Sequence, residues 1–177
     1  MQTDLVQPGD ADALVGFLTG EPWPFHAGVR PGAADVRARI AAGAFTGPDV
    51  ETYWLSRPAA PRAGLLRLFD LGDDTAEFDL RVRAAHRGSG LGTEAVGWLV
   101  GQVFDHHACT RVEAMTRVDN VAMRRVLVRC GWVKEAHHRR AWPTADGSAV
   151  DAVAYAVLRQ DRADGTTTPV HWDDEPR

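Results

Sequence analysis

Apolar positions along the 177-residue chain fall into blocks of two periods. A spacing near 3.6 marks helices and strict alternation marks strands. Leu5-Val6 reads as a short first strand ended by Pro8-Gly9, and Asp10 then caps a helix burying Leu14, Val15, Phe17 and Leu18. A loop rich in proline and aromatic residues follows from Glu21 to His26. The next helix is predicted from about Ala33 to Ala42, with Gly43 as its stop. Strands are predicted near 51–57, 64–71 and 76–82, with turn residues between them. Leu91, Ala95, Val96, Leu99, Val100, Val103 and Phe104 then form the wide apolar stripe of a long helix. Val112, Ala114 and Thr116 alternate with Glu113 and Met115 in a strand over 111–116. Asp119 is read as the cap of a helix that buries Val121, Met123, Val126, Leu127 and Val128 and stops at Gly131. Two last strands, about 132–142 and 149–159, are joined through Asp146-Gly147, a hairpin signal.

The predicted order is β-α-α-β-β-β-α-β-α-β-β. Where the strand at 76–82 crosses over a helix to the strand at 111–116, a parallel pair is required. One domain is expected over about 1–160, followed by a polar tail, 161–177, lying over the surface or partly mobile.

The segment Arg87-Gly88-Ser89-Gly90-Leu91-Gly92-Thr93 joins the strand Glu77–Val82 to the long helix. Its glycines allow a tight turn that aims several N–H groups at one point, and the helix adds its unpaired amides and positive dipole end. This predicts a phosphate or pyrophosphate site with Arg87 as a charged partner. A purely steric turn is the alternative. No Lys follows the last glycine, so a P-loop is excluded, and G-x-G-x-G is a poor match to the dinucleotide-binding fingerprint.

Composition narrows the partners. Net charge is −4 and Lys134 is the only lysine, so the basic footprint of a nucleic-acid binder is missing. No apolar run approaches the ~20 residues of a membrane span. The start, Met1-Gln2-Thr3-Asp4, does not read as a signal peptide. Cys109 and Cys130 read as reduced core thiols, which points to the cytoplasm. His106-His107 and His137-His138 lack metal-ligand spacing, so no metal is expected. A homodimer is expected on base rates alone. Asp70, Asp73, Asp74, Glu77 and Asp79 form an acidic stretch that reads as a solvated turn between strands. Its functional alternative is a wall attracting a cationic substrate.

Arg-x-x-Gly-x-Gly, from Arg87 through Gly90 to Gly92, resembles the acyl-CoA pyrophosphate loop of the GNAT superfamily of N-acetyltransferases. Asp119-Asn120 before a helix that ends in Cys130-Gly131-Trp132 is similar to the family's Asn-led helix. The resemblance spans most of residues 5–159 and is most specific from Glu77 to Val133. It implies a mixed, mostly antiparallel α/β sheet with a splayed central parallel pair and helices on both faces. It also implies acetyl-CoA as co-substrate, held by the loop from Arg87 to Thr93. In such enzymes the pantetheine arm pairs with main-chain groups matching Leu80 and Val82 and touches a side chain matching Asn120. The ribosomal-protein N-acetyltransferase branch often has Glu at the position of Glu77. The aromatic loop Glu21–His26 and the chain's end, from Ala141-Trp142-Pro143 onward, look similar to acetyltransferases of aminoglycosides, kasugamycin among them. Leu127 stands where many members place the Tyr that reprotonates the thiolate, so that role is unassigned.

Acetyl transfer to an amine needs a held thioester, a neutral amine and a stabilised oxyanion. Glu77 and then Asp79 are the candidate bases, since alternation puts them on one strand face. Trp23, Phe25, His26, Glu113 and Trp142 are candidate acceptor-binding residues. The expected activity is direct transfer to a small cationic amine such as an aminoglycoside. A protein N-terminus as acceptor, or a non-catalytic acyl-CoA sensor, are the alternatives.

Overall fold

The computed structural model describes residues 1–26, 30–144 and 146–172. Seven strands make one sheet: β1 (Gln2–Leu5), β2 (Glu51–Arg57), β3 (Ala60–Phe69), β4 (Thr75–Val82), β5 (Arg111–Arg117), β6 (Val133–Pro143) and β7 (Ala149–Leu158). Their spatial order is β1-β2-β3-β4-β5-β7-β6, and only β4 and β5 are parallel neighbours. Helices α1 (Ala11–Thr19) and α2 (Ala33–Ala41) cover one face, α3 (Leu91–His106) and α4 (Val121–Arg129) the other, and α5 (Arg159–Asp164) follows β7. The expected mixed sheet with helices on both faces is therefore present.

Alternation along the strands divides the core into two. Trp54 and Leu65 pack with Phe17, Leu18 and Val36 beneath α1 and α2. Tyr53, Leu55, Leu66 and Leu68 pack with Leu99, Val103 and Phe104 beneath α3. Leu99 is fully buried. Leu99→Ala is expected to lower stability by about 3 kcal/mol, measured by urea unfolding.

Local departures have local causes. β1 spans Gln2–Leu5 rather than Leu5-Val6, although Val6 still donates to the Thr52 carbonyl at 2.7 Å. The Asp10 carboxylate turns back to accept from the Gln7 N–H (3.0 Å) and pairs with Arg62 (2.7 Å), so it does not cap α1. α4 is capped by Asn120, whose Oδ1 accepts from the Met123 N–H at 3.3 Å, because Asp119 is engaged by Arg117 at 2.7 Å. Of the apolar residues of α4 only Leu127 is buried, while Val121 and Val128 are exposed. α5 arises where a tail was expected. Arg159 at its start donates to the carbonyls of Phe104, His107 and Cys109, closing the C-terminal end of α3. Asp161 is buried and accepts from the N–H and hydroxyl of Thr168 (3.0 and 2.6 Å). Residues 173–177 of the tail lie outside the described residues.

The parallel pairing matters most for function. It runs only from Thr75 opposite Arg111 to Glu77 opposite Glu113, after which β4 and β5 part. β4 stays paired with β3 to Val82. The Arg83 N–H bonds the Ala63 carbonyl at 2.9 Å, so residues 77, 79 and 81 exchange ladder bonds with β3. The main-chain groups of Leu80 and Val82 therefore point into the gap.

Candidate active site

β4 ends in a 3-10 turn, Ala84–His86, and the chain then runs from Arg87 into α3. Gly88 and Gly90 hold φ of 73° and 86°, left-handed conformations that a side chain would strain. Gly92 lies inside the first turn of α3, and a Cβ there would meet only Val126 Cγ2, at 3.8 Å. A cleft of about 350 Å³ opens here between β4, the glycine loop and α4, lined by Leu80, Val82, Gly88, Gly90, Gly92 and Thr93 among others. Ser89 stiffens the loop by donating its hydroxyl to the His86 carbonyl at 2.6 Å. The first amides of α3, from Leu91 on, lie at the positive end of a sixteen-residue helix.

Arg87 lines this cleft but is also a strut. Its Nε donates to the Val82 carbonyl at 3.0 Å and its Nη2 lies 3.5 Å from Glu21. Glu21 accepts from the Ala84 N–H at 2.7 Å and lies 3.6 Å from Arg83, tying the aromatic loop to the glycine loop. Arg125 and Arg129, one turn apart on α4, add positive charge to the same wall. No pattern in the sequence singled out Glu21, and the i, i+4 spacing was the only signal for the two arginines.

A second cleft, of about 390 Å³, opens on the other side of the splayed strand. Glu77, Asp79 and Arg81 of β4 line it, with Arg67 and Phe69 of β3, Met115 of β5 and Trp142 of β6. Phe25, His26, Leu80, Asn120 and Met123 line both clefts and so form the wall where they meet. His26 is fixed there. Its Nε2 lies 3.0 Å from Asp79 Oδ1 and 3.2 Å from the Leu80 carbonyl. Two oxygens at one ring nitrogen place a proton on Nε2, and Nδ1 is buried with no partner among the described residues. Arg81 grips the other oxygen of Asp79 through Nε (3.3 Å) and Nη2 (3.1 Å). The His26 hydrogen bond, with Arg81 and Arg67, outweighs burial and holds the Asp79 carboxyl far below the usual carboxylate range. Burial pushes the Glu77 carboxyl upward, and nearby Asp70 and Glu113 add to the effect.

A family model described as an acetyltransferase (GNAT) domain matches residues 5–133, which hold the glycine loop, the splayed strand and the Asn120-led helix. The chain belongs to the GNAT acetyltransferase family. This GNAT domain has the fold of known family members at low sequence identity. A variant of the spermidine N-acetyltransferase SpeG from Vibrio cholerae shares 14% identity, with a TM-score of 0.75 over 91% of this chain and 96% of that one. A chimera of that enzyme with hSSAT gives 0.78 at 14% identity, covering 93% of this chain and 99% of the other. A probable acetyltransferase shares 22% identity, with a TM-score of 0.70 over 90% and 93%. No curated protein sequence matches significantly.

Within this GNAT domain the expected acceptor residues separate. Phe25, His26 and Trp142 line the second cleft. Trp23 is 1% exposed, stacked on Phe17 at 5.2 Å and bonded through Nε1 to the Leu18 carbonyl, so it is a core residue underlying the first cleft. Glu113 stands in register with Glu77 beside the second cleft but is not among its lining residues, and it pairs with Arg111 at 2.9 Å. Asn120 lines both clefts, but its amide is engaged in capping α4 and in donating to Thr116 Oγ1 at 3.0 Å. Leu127 is buried, so the helix face where a tyrosine is common belongs to the core. Asp70, Asp73 and Asp74 are exposed in the β3–β4 turn, and only Glu77 and Asp79 of the acidic stretch reach the cleft.

Proposed function

We propose that this GNAT domain transfers the acetyl group of acetyl-CoA directly to a small primary amine, with both substrates bound at once. The observation that supports this best is the pair of clefts meeting at His26, Leu80 and Asn120. In this reading the diphosphate rests on the amides from Gly88 to Thr93, assisted by Arg87 and by Arg125 and Arg129 across the cleft. The pantetheine arm pairs with the main-chain edge of Leu80 and Val82, whose N–H groups face the gap while their carbonyls meet His26 and Arg87. The thioester carbonyl then lies near a main-chain N–H of the splayed strand, which stabilises the oxyanion.

The acceptor enters the second cleft as an ammonium ion and must lose a proton before attack. Glu77 is about 10 Å along β4 from Leu80 at the usual strand rise, too far for direct contact at the transfer point. His26 is the nearer group, and Asp79, 3.0 Å from its Nε2, acts as the positioning residue. The His26 imidazole takes the first proton from the ammonium ion, and the neutral amine nitrogen then bonds the thioester carbon. The C–S bond then breaks, and the second proton of the attacking nitrogen passes by way of water to the departing thiolate, whose pKa is near that of ordinary thiols at about 8.5. Glu77 receives the incoming ammonium ion.

Acetyl-CoA is expected to raise the thermal midpoint, and free thiol should be released only when a productive amine is added. The panel should include aminoglycosides, polyamines, short peptides and amino acids. Stabilisation without thiol release from any amine would identify a sensor instead. No stabilisation would remove acetyl-CoA from the reading.

A further inference from the structure

We infer that the acceptor of this GNAT domain bears, besides its amine, an anionic oxygen group, carboxylate or phosphate, received by Arg39, Arg67 and Arg81. The inference rests on the reading of the second cleft as the acceptor site. Three guanidinium groups face only two carboxylates there, Glu77 and Asp79. Asp79 gives one oxygen to Arg81, and its other oxygen lies 3.0 Å from His26 Nε2. Neither Arg39 nor Arg67 forms an ion pair among the described residues. Arg67 is held in place by donating Nη1 to the Ala44 carbonyl at 3.0 Å and by the Phe69 ring 4.5 Å away. Among the described residues its buried Nε has no partner and Nη2 makes no hydrogen bond. Arg81 is 6% exposed, and its Nη1 is likewise buried and unpartnered.

Three cations in one partly dry cleft repel one another and leave strong donors unmet, a cost of desolvation that native sites do not ordinarily tolerate. Burial pushes the Arg67 pKa down, and the charges of Arg39 and Arg81 add to this against the opposing pull of Asp79 and Asp70. An arginine stays charged even so, and its planar donors match a carboxylate or phosphate in fork geometry. A bound anion would relieve the repulsion and give Arg39 and the Nη2 of Arg67 an acceptor. Beside Thr116 and Asn120, much of the remaining lining is apolar: Phe25, Phe69, Trp142 and Met115, which is 49% exposed. The acceptor body that fits is apolar, with the amine toward His26 and Glu77 and the anion over Arg67.

Thiol release should be measured with ω-amino acids of graded length, phenylalanine and O-phosphoethanolamine. Each carboxylate is tested beside its amide, O-phosphoethanolamine beside ethanolamine, and spermidine and an aminoglycoside complete the set. An anion-bearing amine is expected to exceed its neutral counterpart at least tenfold in kcat/KM, and the carboxylate and phosphate arms show which anion is used. In Arg67→Gln that ratio should fall toward one, through KM for the acceptor. Arg39→Gln gives the same test should Arg67→Gln fail to fold, and the acid-to-amide ratio of the parent protein needs no variant. Equal rates for acid and amide, no turnover of any anion-bearing amine, or a preference for spermidine or the aminoglycoside unaffected by either variant would overturn the inference. Failure of the acetyltransferase reading itself shows differently, as no thermal shift with acetyl-CoA.

Discussion

Gly92→Trp is expected to abolish stabilisation by acetyl-CoA while leaving the fold intact. Gly92 sits in regular helix, and its missing side chain leaves open the space between the start of α3 and Val126 of α4. An indole there would occupy the floor of the first cleft. Helix propensity favours the change over glycine by roughly half a kcal/mol, so any loss of binding would not reflect local unfolding. Gly88 and Gly90 are poorer probes, because a side chain at positive φ strains the backbone by about 1–2 kcal/mol by itself. With acetyl-CoA at about a hundred times Kd, the parent protein should gain about 2.7 kcal/mol, an increase of roughly 5–10 °C in Tm. In Gly92→Trp the increase should vanish, a weakening of Kd by at least about a hundredfold. A full shift in the variant would place the carrier elsewhere.

How much of this was legible in the sequence depends on the range of the interactions involved. The glycine loop is a local device, since left-handed turns at Gly88 and Gly90 and the helix after them are written in adjacent residues. Most elements and their order were legible for the same reason. The cap of α4 was misplaced by one residue because Asp119 and Asn120 are both good caps, and only the salt bridge from Arg117 decides between them. Trp23 and Trp142 lie in similar aromatic contexts, yet one is core and the other lines a cleft. Periodicity cannot distinguish these, just as it counted Val121 and Val128 as buried when α4 leaves them exposed. The acidic stretch was readable only as acidic. Arg67 lies directly across the β3–β4 register from Asp79, and Arg39 comes from α2, so the charge that opposes it is contributed from elsewhere in the chain. His26 and Asp79 are likewise fifty-three positions apart, joined only once the aromatic loop folds over β4.

Two neighbouring carboxylates of β4 should respond to amidation with opposite signs. The Asp79 carboxyl is held far below its ordinary range, so its contribution to stability is fully present above the unfolded value, about 3.9, and is lost as pH falls through the folded one. Asp79→Asn should therefore cost about 2 kcal/mol at neutral pH, with the gap to the parent closing only in strong acid. The Glu77 carboxyl is raised instead, so the stability it contributes is present below about 4.3 and lost as pH rises through the folded value. Glu77→Gln should then be slightly more stable than the parent at pH 7, with the gain absent in acid. Catalysis adds the larger effect. His26→Gln removes the basic nitrogen and should lower kcat by about a hundredfold or more. Asp79→Asn, which frees the ring to turn and to hold its proton on either nitrogen, should approach the same loss. Glu77→Gln should act mainly on KM for the acceptor. Stability curves from urea unfolding at pH 3 to 8, set beside steady-state rates, separate these outcomes. If Glu77→Gln instead lost kcat a hundredfold and His26→Gln retained it, the proton would leave through Glu77 by way of water, and His26 would be a wall of the cleft only.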